Sequence, residues 1–321
     1  MSNKPEILQL SPLRDIAQSR LEAGFQPLHI TLNSDGAAEY SAAFSASDAA
    51  RIRAVVSGGT EPIGAALLAQ LPALEMVACT SAGYEGFDTK ALAARGIKLT
   101  NASWALADEV ADLAILLMLA AKRRLVQADA YVRSGDWAKK GAYPLQRSVK
   151  GKRLAIAGMG AIGQEIAKRA AVMGMEIAYW GRAPKDGLPY RFEADLERLA
   201  AESDVLIAMI PGGAGTRHAV SETVLRALGP QGLFLNLARG SVVDQEALIA
   251  LLQSGDLGMA ALDVFENEPA IDPRFARLDN VLLAPHIGSA THETRDAMAL
   301  SAVENLEAHF AGRPLTSEVR L

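Results

Sequence analysis

The stretch Leu154-Ala155-Ile156-Ala157-Gly158-Met159-Gly160-Ala161-Ile162-Gly163 decides how the chain is read. Four apolar residues run into a glycine-rich turn, and a segment of helical character, Gln164 to Met173, leaves it. The turn fits G-x-G-x-x-G. Gly158 permits the sharp bend, Gly160 lets backbone N–H groups approach a pyrophosphate, and Gly163 lets helix and strand pack closely. The anion would rest on the helix N-terminus, with Met159, Ala161 and Ile162 completing the loop around it. In a chain rich in Gly and Ala the pattern alone is weak. Its place between strand and helix gives it weight.

The same alternation continues on both sides. Downstream, apolar runs at Ile177–Tyr179, Val205–Met209, Leu233–Asn236, Met259–Leu262 and Val281–Ala284 are mostly separated by helical stretches. Upstream, Ile7–Leu10, Leu28–Leu32, Arg53–Ser57, Met76–Cys79 and Ile97–Thr100 read as strands, with helices such as Pro62–Gln70 and Thr89–Ala94 between them. Strand alternating with helix implies parallel α/β architecture, and 321 residues exceed one typical domain. The expected fold class is α/β, with two Rossmann-like or flavodoxin-like domains, parallel sheets and a cleft between them. An Ala- and Leu-rich stretch, Trp104 to Arg133, predicts one long helix with Ser103 as N-cap, Asp108 and Glu109 at its positive end and Gly135 as its stop. Its middle is apolar all round, which predicts burial between domains or subunits. A last helix spans about Thr291 to Phe310. The chain is expected to cross between domains twice, so that 1–101 with 288–321 form a discontinuous substrate domain and 102–287 an NADP-binding domain.

Composition narrows the function classes. Half of the residues are apolar, 21% are charged and the net charge is −5, which gives no attraction for nucleic acid or an anionic membrane. The longest apolar run, Leu113 to Ala121, is far shorter than the roughly 20 residues of a membrane helix. No apolar signal core follows Met1, and Cys79 has no second cysteine to pair with. A cytoplasmic location is the expectation. One Cys and five scattered His offer no metal cluster, so no metal is expected.

The end of the next strand bears on the cofactor. Where an NAD enzyme places a carboxylate for the ribose 2′-hydroxyl, this chain reads Tyr179-Trp180-Gly181-Arg182-Ala183-Pro184-Lys185. An Arg there can hold a 2′-phosphate with charge-assisted bonds, and Lys185 adds a second cation. The plainer reading leaves Arg182 merely solvated. NADP(H) is expected in preference to NAD(H).

Three polar residues follow the ends of three apolar strands: Arg239 after Leu237-Ala238, Glu268 in Asp263-Val264-Phe265-Glu266-Asn267-Glu268-Pro269, and His286 in Ala284-Pro285-His286-Ile287-Gly288-Ser289. In a doubly wound sheet those ends face the ligand crevice. Hydride reduction of a 2-oxo acid needs an anion clamp, a carbonyl polariser and a proton donor. Arg supplies the permanently charged fork, His gives a proton near neutral pH, and a carboxylate beside it fixes the tautomer. A histidine after Pro is often just a turn residue, and an Arg-Gly pair often ends a strand. The combination carries the reading.

Together with Thr80–Asp88 and Asp108–Asp112, the segments Gly158–Gly163, Asn236–Asp244, Leu262–Pro269 and Pro285–Ser289 resemble the signatures of the D-isomer-specific 2-hydroxyacid dehydrogenases. The likeness is greatest to the glyoxylate/hydroxypyruvate reductase branch and the related hydroxyphenylpyruvate reductases. The resemblance implies that Arg239 binds substrate, His286 is the acid/base and Glu268 its partner. By the same likeness Ala238, Asp263 and Gly288 lie at the cofactor, and the backbone of Ser81, Ala82 and Gly83 meets the substrate carboxylate. It also implies a homodimer, in which Trp137 either reaches the partner's site or anchors the interface. The chain departs from many relatives at Asn101-Ala102-Ser103-Trp104, where they carry a Pro. The loops around Val56–Gly59 and Ser81–Tyr84, with Trp137, are expected to shape the pocket for the substrate's second group. A phosphoglycerate dehydrogenase is the alternative enzyme, disfavoured by the missing acid near Gly181, and a dinucleotide-sensing protein on the same fold is the alternative class. No Tyr is followed four residues later by Lys, as short-chain dehydrogenases require. His292-Glu293-Thr294-Arg295-Asp296 lacks the second His of a zinc helix.

Overall fold

The structure is a computed structural model that describes residues 4–29 and 45–321. It divides into two units, Met1–Leu106 with Ser289–Leu321, and Ala107–Gly288. The divisions fall a few residues beyond those expected from the sequence.

In the first unit the strands are β1 (Glu6–Gln9), β2 (Gln26–His29), β3 (Ile52–Ser57), β4 (Met76–Cys79) and β5 (Lys98–Thr100). They form one sheet in the order β2-β1-β3-β4-β5, with every neighbouring pair parallel. The expected strand Leu28–Leu32 begins earlier, and its last three positions, 30–32, lie outside the described residues. Strands covered on both faces need apolar residues on both, and β4 is buried throughout. One face packs Leu8, Val55 and Val77 against Leu67, Leu68 and Leu92. The other packs Ile7, Val56, Met76 and Ala78 against Ala17 and Leu21 of the helix Asp15–Gly24 and against Ala302, Val303 and Leu306 of the helix His292–Phe310. That last helix starts at Thr291, whose side chain accepts from the Thr294 N–H as an N-cap. Arg14–Asp296 at 2.6 Å and Arg20–Glu307 at 2.7 Å join the two helices at the surface.

The second unit contains β6 (Arg153–Ala157), β7 (Glu176–Trp180), β8 (Arg191–Phe192), β9 (Val205–Ala208), β10 (Leu233–Asn236), β11 (Met259–Leu262) and β12 (Val281–Leu283). All neighbours are parallel in the order β12-β11-β10-β9-β6-β7-β8. The chain starts at β6, builds outward to β8, then returns to the other side of β6 as β9. That reversal opens a crevice at the carboxyl ends of β6 and β9, where doubly wound sheets bind ligands. Fully buried Phe234, Leu206 and Ala155 pack with Leu199, Leu225, Leu248 and Leu252 of the covering helices. Two-residue β8 is too short to stand out as an apolar run.

The expected single helix from Trp104 to Arg133 is corrected. Turns occupy 103–106, so Ser103 is not an N-cap, and the first helix is Ala107–Arg123. A second, Leu125–Arg133, follows a break at Arg124, which sits at φ 47°, ψ 47°. Gly135, at φ 75°, leads into a third short helix, Asp136–Lys140. The break turns the chain so that Arg124 Nη2 and Gln127 Nε2 both donate to the Asp279 carbonyl, each at 3.0 Å. On the first helix Val110, Ala114, Leu117 and Met118 are buried within the chain, while Leu116 is 56% exposed. Lys122 is buried as well. Its amine lies 3.4 Å from the Asp204 carbonyl, and burial pushes its pKa below the ordinary lysine value.

A left-handed arginine costs what a glycine at the same backbone position does not. Arg124→Gly is expected to leave the melting temperature nearly unchanged, because relief of strain offsets the added freedom of the unfolded chain. Arg124→Val, branched at Cβ, should lose about 1–2 kcal/mol. Thermal unfolding of both variants checks this, and equal losses would contradict it.

Candidate active site

Glycine spacing builds the first part of the site. Gly158, at φ 108°, ends β6 against β9: a Cβ there would stand 2.5 Å from the Met209 carbonyl oxygen. A Cβ on Gly163 would stand 2.2 Å from the Gly158 oxygen, so the helix Ala161–Val172 packs directly on the turn. That helix begins three residues before the expected Gln164, because the glycine turn itself supplies its first residues. Gly160, by contrast, faces open space, and as N-cap it offers the helix no side-chain bond. The first N–H groups of a twelve-residue helix are thus presented at the switch point of the sheet. Those features fit a dinucleotide pyrophosphate.

The turn after β7 is tied to the sheet at one point: buried Tyr179 accepts the Lys185 N–H on its hydroxyl at 2.7 Å. The side chains of Arg182 and Lys185 are exposed and make no ion pair among the described residues. A Cβ on Gly181 would find its nearest neighbour, the Ala183 oxygen, 4.0 Å away. The turn therefore carries two exposed cations and has room for a side chain at Gly181.

Three loops at the carboxyl ends of β10, β11 and β12 interlock. After β10, fully buried Asn236 donates through Nδ2 to the Arg239 carbonyl at 2.9 Å and accepts the Ala238 N–H at 3.0 Å, closing the turn that presents Arg239. Arg239 Nη1 also donates to the Ala238 carbonyl at 2.7 Å. Gly240 then lies flat on the next loop, since a Cβ there would fall 1.9 Å from the Phe265 carbonyl carbon. Within that loop, Glu268 Oε1 accepts the Phe265 N–H at 2.8 Å, while Oε2 lies 2.6 Å from His286 Nδ1.

Asp263 secures the third loop. Only 1% exposed, it accepts the Ile287 N–H at 2.8 Å on Oδ1 and the Gly288 N–H at 2.9 Å on Oδ2. Its carbonyl accepts the His286 N–H at 2.9 Å. Burial pushes its carboxyl above the ordinary value, against the opposing pull of these N–H groups and of His286. The clamp holds His286 at φ 54°, a conformation uncommon outside glycine. His286 Nε2 makes no hydrogen bond among the described residues, and the ring is 48% exposed on its side chain. Beside the pair lies an apolar recess of ≈ 410 Å³ lined by Phe265, Pro269, Ile271, Leu283 and Pro285.

The fold thus brings together Gly158–Gly163, the Gly181–Lys185 turn, Ala238, Arg239, Asp263, Glu268, His286 and Gly288 along one edge of one sheet. Ser81, Ala82 and Gly83 belong to the other unit, in the turn after β4. Trp137 is 63% exposed on the short helix Asp136–Lys140 and does not line the recess. Sequence reasoning missed two groups: Asn236, which shapes the arginine turn, and a second His–carboxylate pair in which His218 Nε2 lies 3.1 Å from Glu266 Oε1. The polar end of an otherwise apolar strand was the available signal for Asn236.

Among the described residues no helix is long and apolar enough to cross a membrane, and no group of His, Cys, Asp and Glu is placed to hold a metal ion. Residues 115–288 match the family model for the D-isomer specific 2-hydroxyacid dehydrogenase NAD binding domain. A glyoxylate/hydroxypyruvate reductase of Arabidopsis thaliana is 42% identical over 85% of this chain and 84% of its own. The 2-ketogluconate reductase of Gluconobacter oxydans is 39% identical over 99% of this chain and 100% of its own. The crystal structure of an NADPH-dependent glyoxylate/hydroxypyruvate reductase from Sinorhizobium meliloti, in complex with NADP and malonate, superposes with a TM-score of 0.86 at 38% identity, covering 98% of this chain and 97% of that one. With its glycine turn, its strand order and these relatives agreeing, the chain belongs to the D-isomer-specific 2-hydroxyacid dehydrogenases, and it is an oxidoreductase with an NAD(P)-binding domain.

Proposed function

We propose that the chain reduces small 2-oxo acids, glyoxylate and hydroxypyruvate among them, to D-2-hydroxy acids, with NADPH preferred over NADH and His286 as proton donor. The observation that carries this reading is the Glu268–His286 pair, engaged through Nδ1 at 2.6 Å, with Nε2 making no hydrogen bond among the described residues. Glu268 at Nδ1 fixes the tautomer and the orientation of the ring, so His286 Nε2 gives its proton to the carbonyl oxygen as charge develops there. Arg239 holds the substrate carboxylate and polarises the carbonyl. The backbone of Ser81, Ala82 and Gly83, in the turn after β4, would meet the substrate carboxylate, so that Met1–Leu106 with Ser289–Leu321 serves as the substrate domain and Ala107–Gly288 as the cofactor domain.

The dinucleotide supplies the hydride when bound. Gly158–Gly163 would hold its pyrophosphate, Arg182 and Lys185 with Gly181 and Ala183 its 2′-phosphate, and Ala238, Arg239, Asp263, His286 and Gly288 the nicotinamide end. The absence of a carboxylate at Gly181, and two cations beside it that make no ion pair among the described residues, support NADP(H). A homodimer is supported by exposed Leu116, Val126, Val132 and Trp137, apolar side chains that a partner would cover. In that assembly Trp137 either anchors the interface or lines the partner's pocket. Cys79 is buried and is the single cysteine of the sequence, which suits a cytoplasmic setting.

His286→Ala should slow reduction of glyoxylate by about 10²–10⁴, typical of a lost general acid, while NADPH binding persists. Wild-type turnover in that variant would remove His286 from the mechanism. In Asp263→Asn an amide donor would face one of the two loop N–H groups. Turnover is expected to fall about 10²-fold through misplacement of His286, with the fold retained by circular dichroism. For the cofactor, kcat/KM with NADPH and NADH at one saturating 2-oxo acid is the measure. Gly181→Asp combined with Arg182→Ala should move the preference toward NADH by at least about tenfold, because one charged bond to the phosphate accounts for that much. A preference for NADPH that survives the double change would locate the phosphate site elsewhere.

A further inference from the structure

At the carboxyl edge of the five-stranded sheet a carboxylate stands without a cation partner among the described residues. Glu61 is partly buried, and no Lys, Arg or His forms an ion pair with it among the described residues. Hydroxyls and backbone hold it instead. Ser11 Oγ donates to Oε1, and Ser57 Oγ donates to Oε2 at 2.6 Å. The Gly59 N–H also reaches Oε2, at 3.1 Å, while the Gly58 N–H donates to Ser11 Oγ at 2.8 Å. Burial, the largest single influence, pushes the Glu61 carboxyl upward, and these bonds together bring it below the ordinary value. The group is therefore a fixed negative charge at neutral pH.

Its position follows from backbone packing. Gly59 sits at φ 102°, and a Cβ there would stand 2.1 Å from the Gly83 carbonyl oxygen. The Gly86 N–H donates to the Gly59 carbonyl at 3.1 Å, and the Thr80 N–H to the Ser57 carbonyl at 2.9 Å. The turn carrying Glu61 and the turn Ser81–Gly83 are thus one rigid piece. Ser11, Gly58, Glu61, Ser81, Ala82 and Gly83 all keep part of their surface open.

We propose that Glu61 sets the charge class of the substrate, favouring 2-oxo acids whose second substituent is neutral and bears a hydroxyl over those that carry a second anion. The proposal rests on the reading of Ser81–Gly83 as the backbone that meets the substrate carboxylate. A carboxylate accepts hydrogen bonds and never donates. A substrate hydroxyl can join the Ser11–Glu61–Ser57 network as a donor. A second carboxylate or a phosphate cannot, and it meets a like charge whose neighbours are only dipoles. Repulsion of this kind selects by excluding the wrong partner, independently of how well the right one fits.

The test compares kcat/KM for hydroxypyruvate and oxaloacetate with NADPH, a neutral and an anionic second substituent on the same 2-oxo acid frame. Wild type should favour hydroxypyruvate. Glu61→Gln, similar in size but uncharged, should shift the ratio toward oxaloacetate by about tenfold, the scale of one modest charge interaction. Ser57→Ala breaks a bond in the same network yet keeps the charge, so its ratio should stay near wild type even if both rates fall. Should Glu61→Gln not fold, Glu61→Thr serves as the neutral variant. A ratio that moves less than about twofold in the neutral variant, or equally in Ser57→Ala, overturns the role of Glu61. Failure of wild type to reduce any 2-oxo acid would instead overturn the underlying reading.

Discussion

The carboxylate of Asp263 is the constraint on which the candidate site depends. An ionised group that is 1% exposed is costly to bury. Two N–H donors from consecutive residues, Ile287 and Gly288, offset that cost with short charge-assisted bonds. The pair of bonds can form only if the chain turns sharply just before them, and the residue at the turn is His286, in a left-handed conformation. Such a conformation in a non-glycine residue costs on the order of 1–3 kcal/mol and persists only where its surroundings over-determine it. Asp263 supplies that determination from β11, one strand away. A side chain that faces no solvent thereby aims one that does.

Close backbone approach does for the neighbouring loops what Asp263 does for this one. Gly240 has no side chain to separate the arginine turn from Phe265 and Glu266, so Arg239 and Glu268 are carried on loops in van der Waals contact. Asn236 prevents the first of those loops from opening. Positional accuracy at the site is thus set by groups that do no chemistry, as precision on a scaffold of rigid strands requires.

Much of this was legible in the chain because the signals were local. Apolar runs of four to five residues mark strands buried on both faces, and a polar residue directly after such a run, as with Arg239 and His286, marks the carboxyl edge. The glycine turn at 158–163 was readable for the same reason. What escaped was decided by tertiary contact. Nothing local distinguishes Arg124 from the helical residues on either side. Its left-handed turn is accompanied by the capture of the Asp279 carbonyl, over 150 positions away. Strand β8 consists of two residues that pair only because β7 is there. Glu61 reads as an ordinary exposed acid until Ser11, fifty positions earlier in the chain, is seen to bond it.

The helix His292–Phe310 has a consequence for synthesis. Ala302, Val303 and Leu306 fill the core beneath β1, β3 and β4, strands that lie between residues 6 and 79 and are made long before it. While the ribosome is still elongating, the amino-terminal sheet lacks that cover and keeps a hydrophobic face unshielded. The Ala107–Gly288 segment, continuous in sequence, has every strand of its own sheet before the last helix emerges. Cotranslational folding should therefore run from the middle of the chain outward, with the amino-terminal strands the natural client of a chaperone during the interval.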